Sequence, residues 1–231
     1  MSRFFLWQLA FVIIYLIVMT EHENDIEIEI KLKLTSYAEY LKLVGYLGQM
    51  DHEEHLVNSF FDTPEKALWK TGWAYRVRVT NDTGLVTLKG KATVSGSAAI
   101  RPEIQEQINR SLASSIVADR HDPLDLECRP TDYVKTKLGI SSLIKTVHFE
   151  ILRQVKHQTI NDQKYTFEID TTSFADGTSD YELEIELSDE SQIETAERDL
   201  ARLFGRLNIP FEVQSESKYA RALANRLALE E

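Results

Sequence analysis

From Asp25 to Leu34 the chain reads DIEIEIKLKL, an alternation of polar and aliphatic residues without an error. Successive side chains of an extended chain point to opposite faces, so this period fits a β-strand and no helix. Glu27, Glu29, Lys31 and Lys33 then share one face, and Ile26, Ile28, Ile30 and Leu32 share the other. The aliphatic face has to be buried, so the fold is built around a sheet. The pattern returns in Ala74–Thr80 (AYRVRVT), Leu85–Ala92 (LVTLKGKA) and Asp180–Leu187 (DYELEIEL). It pairs Arg76 with Arg78, Lys89 with Lys91, and Glu182 with Glu184 and Glu186. Further strands are predicted over Val57–Asp62, Arg101–Ile108, Thr146–His157 and Tyr165–Thr171, with turns at Thr63-Pro64 and Asn81–Gly84. Thr35 is expected to cap a helix over Ser36–Gly48; helical material runs loosely over 112–143, and Glu194–Leu207 and Lys218–Leu229 read as amphipathic helices. The expected fold class is α+β, with about eight strands able to curl into a barrel and helices packed outside.

A sheet face carrying charges is ordinarily a solvated face. The distribution over several strands argues otherwise, because like charges on neighbouring strands repel. Cations gather on the first, third and fourth strands, and carboxylates at the start of the first strand and on the last. In a closed barrel the charged face becomes the lumen, with one basic and one acidic zone. A basic zone suits a polyanion, and grouped carboxylate oxygens suit hard cations such as Mg²⁺ or Mn²⁺.

Composition narrows the partners. Among 231 residues, Asp and Glu outnumber Lys and Arg by 37 to 26, a net charge of −11 that disfavours nucleic acid and anionic lipid. The lone cysteine, Cys128, forms no internal disulfide and lacks zinc-ligand neighbours, which fits a reducing, cytoplasmic setting. Residues 1–24 form a hydrophobic extension before a domain expected over 25–226. Within it Phe4–Met19 is apolar apart from Gln8. A helix over that run rises about 24 Å, short of a hydrocarbon core of about 30 Å. The extension reads as an uncleaved anchor, as a segment docked on the domain, or as sequence upstream of a true start at Met19. A membrane is a partner only if residues 4–19 are translated and inserted.

In order along the chain stand Glu27-x-Glu29-x-Lys31, Phe60-Phe61-Asp62-Thr63-Pro64, Arg76-x-Arg78, Leu88-Lys89-x-Lys91, Arg101-Pro-Glu103, Glu168-x-Asp170, Glu182-x-Glu184-x-Glu186 and Ser217-Lys218-Tyr219. This ordered set resembles the CYTH superfamily, the triphosphate tunnel metalloenzymes, and is most similar to their inorganic triphosphatases. The resemblance implies an eight-stranded antiparallel barrel open as a tunnel, with a C-terminal helix plugging one end. It implies triphosphate ligands at Lys31, Lys33, Arg76, Arg78, Lys89, Lys91, Arg101 and Arg153. It also implies metal ligands at Glu27, Glu29, Glu182, Glu184 and Glu186, with Asp170 and Glu103 at or behind the metal. Glu27, Glu29 and Lys218, the lysine of the plug helix, are the implied catalytic residues, and Glu168 is left open between lumen and exterior. Gln105 stands where many members carry a second glutamate.

The implied reaction is hydrolysis of a terminal phosphoanhydride of inorganic triphosphate or a related organic triphosphate. Thiamine triphosphatase and adenylate cyclase are alternatives on the same scaffold. In the vertebrate-like thiamine triphosphatases a stacking Trp stands two residues before the first Arg of the third strand; that position here is Ala74, and a regular strand turns Trp73 to the opposite face. No aromatic-rich adenine pocket is evident in the sequence. A non-catalytic polyphosphate-binding module is the rival from another class.

Overall fold

The computed structural model describes residues 26–230, with side chains as far as residue 228. The extension over residues 1–24, and with it the anchor reading, lies outside the described residues. The elements in chain order are β1 (Ile26–Leu34), α1 (Tyr37–Leu47), β2 (His52–Asp62), α2 (Ala67–Lys70), β3 (Ala74–Val79), β4 (Gly84–Lys89), β5 (Thr93–Ser95), β6 (Ala98–Ile108), α3 (Arg110–Val117), α4 (Arg129–Thr136), β7 (Ile144–Ile160), β8 (Gln163–Ser173), β9 (Ser179–Leu187), α5 (Ile193–Leu207) and α6 (Lys218–Glu230).

Eight strands close into an antiparallel barrel in the order β1-β9-β8-β7-β2-β3-β4-β6, with β6 returning to β1. The short β5 lies outside the ring, paired with Ala98–Ile100 of β6. Closure is made by β1, which pairs Glu27 with Arg101 on one side and Lys31 with Glu184 on the other. The alternation of β1 therefore acts at both seams: opposite charges meet across strands inside, where such pairs stabilise a sheet.

The aliphatic faces pack outward. Ile28, Ile30, Leu32 and Leu34 of β1 are buried against Tyr40, Leu43 and Leu47 of α1 and against Ile193, Leu200, Leu203 and Phe204 of α5. On the opposite flank Val77, Val86 and Leu88 meet Ala113 and Ile116 of α3 and Val134 of α4. A third cluster joins Leu56, Phe60, Val147, Phe149 and Ile151 to Tyr219 and Ala222 of α6. This last helix lies against the barrel interior.

Several boundaries depart from the sequence reading. Ser36, not Thr35, caps α1 by accepting from the Glu39 N–H, while the Glu39 carboxylate reaches back to the Thr35 N–H at 2.6 Å. That is a reciprocal capping box shifted by one residue. β2 begins at His52, because His52–Leu56 pairs fully with Ile151–Val155 of the long β7. β4 stops at Lys89, not Ala92. The next residue, Gly90, donates to the Pro102 carbonyl at 2.8 Å, and a side chain there would press at 3.2 Å on the Pro102 ring and on Trp73. Lys91 therefore lies beyond the strand. β6 begins at Ala98 rather than Arg101, and the pairing of its first residues with β5 has no signature in the sequence. The 112–143 region resolves into two short helices and a 3₁₀ turn at Pro123–Asp125.

Phe204 is fully buried between the barrel and α1. Phe204→Ala is expected to lower unfolding stability by about 3–5 kcal/mol, read as a shifted urea midpoint at constant slope.

Candidate functional site

The lumen is a cavity of about 1310 Å³. Its walls carry the charged faces of β1, β3, β4, β6, β7, β8 and β9. Each charge is placed by the odd–even period of its strand, and its neighbours by the register. Glu27, Glu29, Lys31, Arg76, Arg78, Lys89, Arg101, Glu103, Arg153, Glu184 and Glu186 all border the cavity, as do Lys91 and Lys218. Glu168, left open by the sequence, also faces it. Asp170 and Glu182 are fully buried behind the lining, and Lys33 lies outside it, partly exposed at the α1 end of β1.

Most of these charges are already paired. Lys31 Nζ lies 2.7 Å from Glu29, and Lys89 Nζ lies 2.7 Å from both Glu27 and Glu103. Arg101 bridges Glu27 and Glu29. Although burial opposes it, the two glutamates raise the Arg101 guanidinium above its ordinary value. Burial likewise opposes ionisation of Glu103, but Lys89 and Arg76 outweigh it and hold the carboxyl low.

The opposite wall is organised around three cations. Arg153 of β7 donates to both oxygens of Asp170 at 2.8 and 2.7 Å, to Glu184 at 2.6 Å, and to Glu168. Lys218, the first residue of α6, contacts Asp170 at 2.8 Å, Glu184 at 2.8 Å, and Glu182. Arg221, one turn later, donates to Glu182 at 2.6 Å and Asp180 at 2.7 Å. Burial alone would raise the Glu184 carboxyl; Lys218, Arg153 and Lys31 reverse this and hold it well below the usual range. Burial of Glu182, reinforced by the neighbouring Glu184 charge, raises its carboxyl. Burial also raises Glu168 to about 7: the Arg153 charge pulls it down, but Glu184, Glu186 and Asp170 push it up.

Two cations stand apart. Arg76 and Arg78 project into the lumen from β3 and, among the described residues, make no ion pair or hydrogen bond with a carboxylate. Arg76 is 8% exposed and donates to the Thr87 hydroxyl at 2.9 Å, while its Nε is buried without a partner. Arg78 donates to the Asn58 amide oxygen at 2.7 Å. Burial lowers both guanidinium groups, and the adjoining Arg76 and Arg153 charges add to it at Arg78, which falls to about 9. Glu103 and Glu27 near Arg76, and Asp170 and Glu184 near Arg78, offset only part of that burial.

The donor set also fits a divalent metal. Asp170, Glu182 and Glu184 each offer an oxygen within 4.8 Å of the others, an all-carboxylate group suited to a hard cation. Lys218 contacts all three, so its ammonium occupies their shared centre. Nearer the cavity, Glu29 stands directly across from Glu186 in the β1–β9 register. Glu186 has no cation partner among the described residues, and desolvation together with the Glu27 charge raises its carboxyl. The group Glu27, Glu29, Glu184 and Glu186 therefore faces the cavity with an acid that a bound cation would relieve.

An aromatic wall completes the cavity. Phe149 lies 5.7 Å from Phe60, Phe60 stacks on Tyr219 at 4.6 Å, and Tyr219 packs on Trp69 at 5.4 Å with the ring planes at 75°. Strand by strand the sequence gives no sign of it, because the four rings come from four separate elements. Trp73 packs on Tyr133 of α4 at 5.3 Å.

The family model for the CYTH domain matches residues 25–222. Among solved structures, the chain is similar to a Hippeastrum adenylyl cyclase candidate with a dominant triphosphatase activity, with a TM-score of 0.76 and 23% identity over 86% of this chain and 96% of that one. It is also similar to a Bacillus halodurans adenylate cyclase candidate, with a TM-score of 0.65 and 22% identity over 85% of this chain and 97% of that one. At these identities the likeness concerns the fold. No curated protein matches the chain. Among the described residues no helix is long and apolar enough to cross a membrane.

The raised Glu168 carboxyl fixes a sign for pH dependence. Between an ordinary 4.5 and about 7 the folded chain holds a proton that the unfolded chain has lost. Its contribution to stability is thus complete below 4.5 and is lost as pH rises through 7. Glu168→Gln is expected to flatten that part of the decline, measured as urea midpoints at pH 5 and pH 8 for both proteins.

Proposed function

The chain belongs to the CYTH domain family, and on that premise we propose that it is a divalent-metal-dependent hydrolase of the terminal phosphoanhydride of inorganic triphosphate or a related organic triphosphate. The observation that carries this reading is the pair Arg76 and Arg78: a buried and a half-buried cation, neither ion-paired to a carboxylate, in a lumen where most other charges are paired. A triphosphate supplies the missing negative charge, and guanidinium groups bind phosphoryl oxygens in strong, charge-assisted pairs. Lys31, Lys89 and Arg101 border the same space and would take further oxygens by exchanging their glutamates for phosphate.

Glu27, Glu29, Glu184 and Glu186 would hold Mg²⁺ or Mn²⁺, which when bound neutralises phosphate charge and acidifies a coordinated water. The chain's own residues do the rest. Arg76 and Arg78 hold the polyphosphate in line and stabilise the charge that moves onto the leaving diphosphate. As a water oxygen bonds to the terminal phosphorus and the bridging P–O bond breaks, the water's proton passes to a carboxylate at Glu27 or Glu29. Lys218 holds Asp170, Glu182 and Glu184 in place and favours the ionised forms of Asp170 and Glu184. The substrate in this reading is a small polyphosphate; nucleic acid and membrane are not partners of the tunnel.

The test is phosphate release from inorganic triphosphate by the purified protein. With Mg²⁺ or Mn²⁺ it proceeds, and EDTA abolishes it. Glu29→Gln is expected to lower kcat by at least about 100-fold, and Arg76→Ala or Arg78→Ala to lower kcat/KM by about 10- to 100-fold each. Triphosphate held tightly in EDTA with no release under any condition would replace the enzyme by a binding module.

A further inference from the structure

The tunnel has a wall that inorganic triphosphate cannot use. Phe149, Phe60, Tyr219 and Trp69 border the cavity and contact one another in that order, from the buried Phe149 to Trp69, a residue that is 43% exposed. The face of an aromatic ring carries the negative end of its quadrupole, so it repels phosphate and attracts planar rings and cations. The space agrees: pockets for drug-sized ligands run to roughly 300–1,000 Å³, and this cavity reaches about 1310 Å³.

Trp69 is also held in place by more than packing. It belongs to the short α2, whose first N–H groups are satisfied from the preceding loop. The Asp62 carboxylate accepts from Leu68 at 2.8 Å and from Trp69 at 3.0 Å, and the Thr63 hydroxyl accepts from Ala67 at 3.0 Å. The Tyr219 ring packs against the indole at 5.4 Å, with the two planes at 75°. An exposed aromatic on a surface needs no explanation; this one is the exposed member of an aromatic series that borders the charged cavity.

Resting on the triphosphatase reading, we propose that Trp69 is a specificity-determining residue: its indole is the stacking platform for the planar ring of an organic triphosphate whose phosphates reach Arg76 and Arg78. Ring-bearing substrates then gain contacts that inorganic triphosphate does not make. The assignment concerns recognition; Trp69 takes no part in the bond-breaking step.

The experiment compares full-length wild type, Trp69→Ala and Trp69→Phe on inorganic triphosphate, a nucleoside triphosphate and thiamine triphosphate. Base–aromatic stacking converts to roughly a five- to hundredfold effect on affinity. Trp69→Ala is expected to raise KM for the ring-bearing substrates by that factor relative to KM for inorganic triphosphate, with a smaller effect on kcat, and Trp69→Phe to recover most of the loss. A larger penalty on the thiamine ester assigns a cationic ring, and a larger penalty on the nucleotide a neutral one; either supports the platform. Equal changes for all substrates, or a wild type that hydrolyses inorganic triphosphate and refuses both ring-bearing ones, would overturn the inference and leave the triphosphatase reading standing. If the wild type hydrolyses nothing, equilibrium binding of a non-hydrolysable nucleoside triphosphate decides: weakening by Trp69→Ala supports the platform, and unchanged binding overturns it.

Discussion

Charged groups survive inside this barrel because they neutralise one another. Removing a carboxylate or a guanidinium from water is costly unless a partner of opposite sign and good geometry is supplied. The register supplies those partners directly: Glu27 faces Arg101, Lys31 faces Glu184, Lys89 faces Glu103, and Arg153 faces Asp170. Each is a pair across neighbouring strands, so charge balance and ring closure are a single condition. A one-residue slip in any strand would turn its charges into the helical shell and its aliphatic residues into the lumen.

That condition is left unmet at Arg76 and Arg78, whose neighbours across the sheet are Thr87 and Asn58. Neutral amide and hydroxyl oxygens satisfy part of each guanidinium without cancelling its charge. The opposite wall is held by groups from outside the ring: α6 contributes Lys218 and Arg221, which bind four carboxylates of β8 and β9. The same helix brings Tyr219 onto Phe60, so one element sets both the acidic wall and the aromatic wall. The electrostatics of the site and the packing of the C-terminal helix are therefore coupled.

The parts legible in the sequence were those written in the period of two. Alternation in β1, β3 and β9 placed the charges on one face, and grouping them by sign pointed to a lumen with a basic and an acidic zone. The ordered motifs then carried the family, which the CYTH domain match bears out. Register is not written in this way. The isolation of Arg76 and Arg78 depends on which residues stand across from β3, and the burial of Asp170 and Glu182 behind the lining depends on the curvature of the closed sheet. Lys91 escaped its strand because Gly90 passes close under Pro102 and Trp73. The short α2 also went unread, since four residues are too few to show a period and the carboxylate that accepts from its N–H groups, Asp62, belongs to the preceding strand. The aromatic wall, assembled from β2, β7, α2 and α6, has no local signature at all.

The tunnel is a lumen of mostly paired charges in which Arg76 and Arg78 lack an ion-paired carboxylate among the described residues. Calorimetric titration of inorganic triphosphate into wild type and into the Arg76→Gln/Arg78→Gln double variant, both in EDTA so that metal and turnover are removed, tests their role directly. Saturable binding by the wild type is expected, with affinity at least about tenfold weaker in the folded double variant. Equal affinity in the two proteins would contradict it.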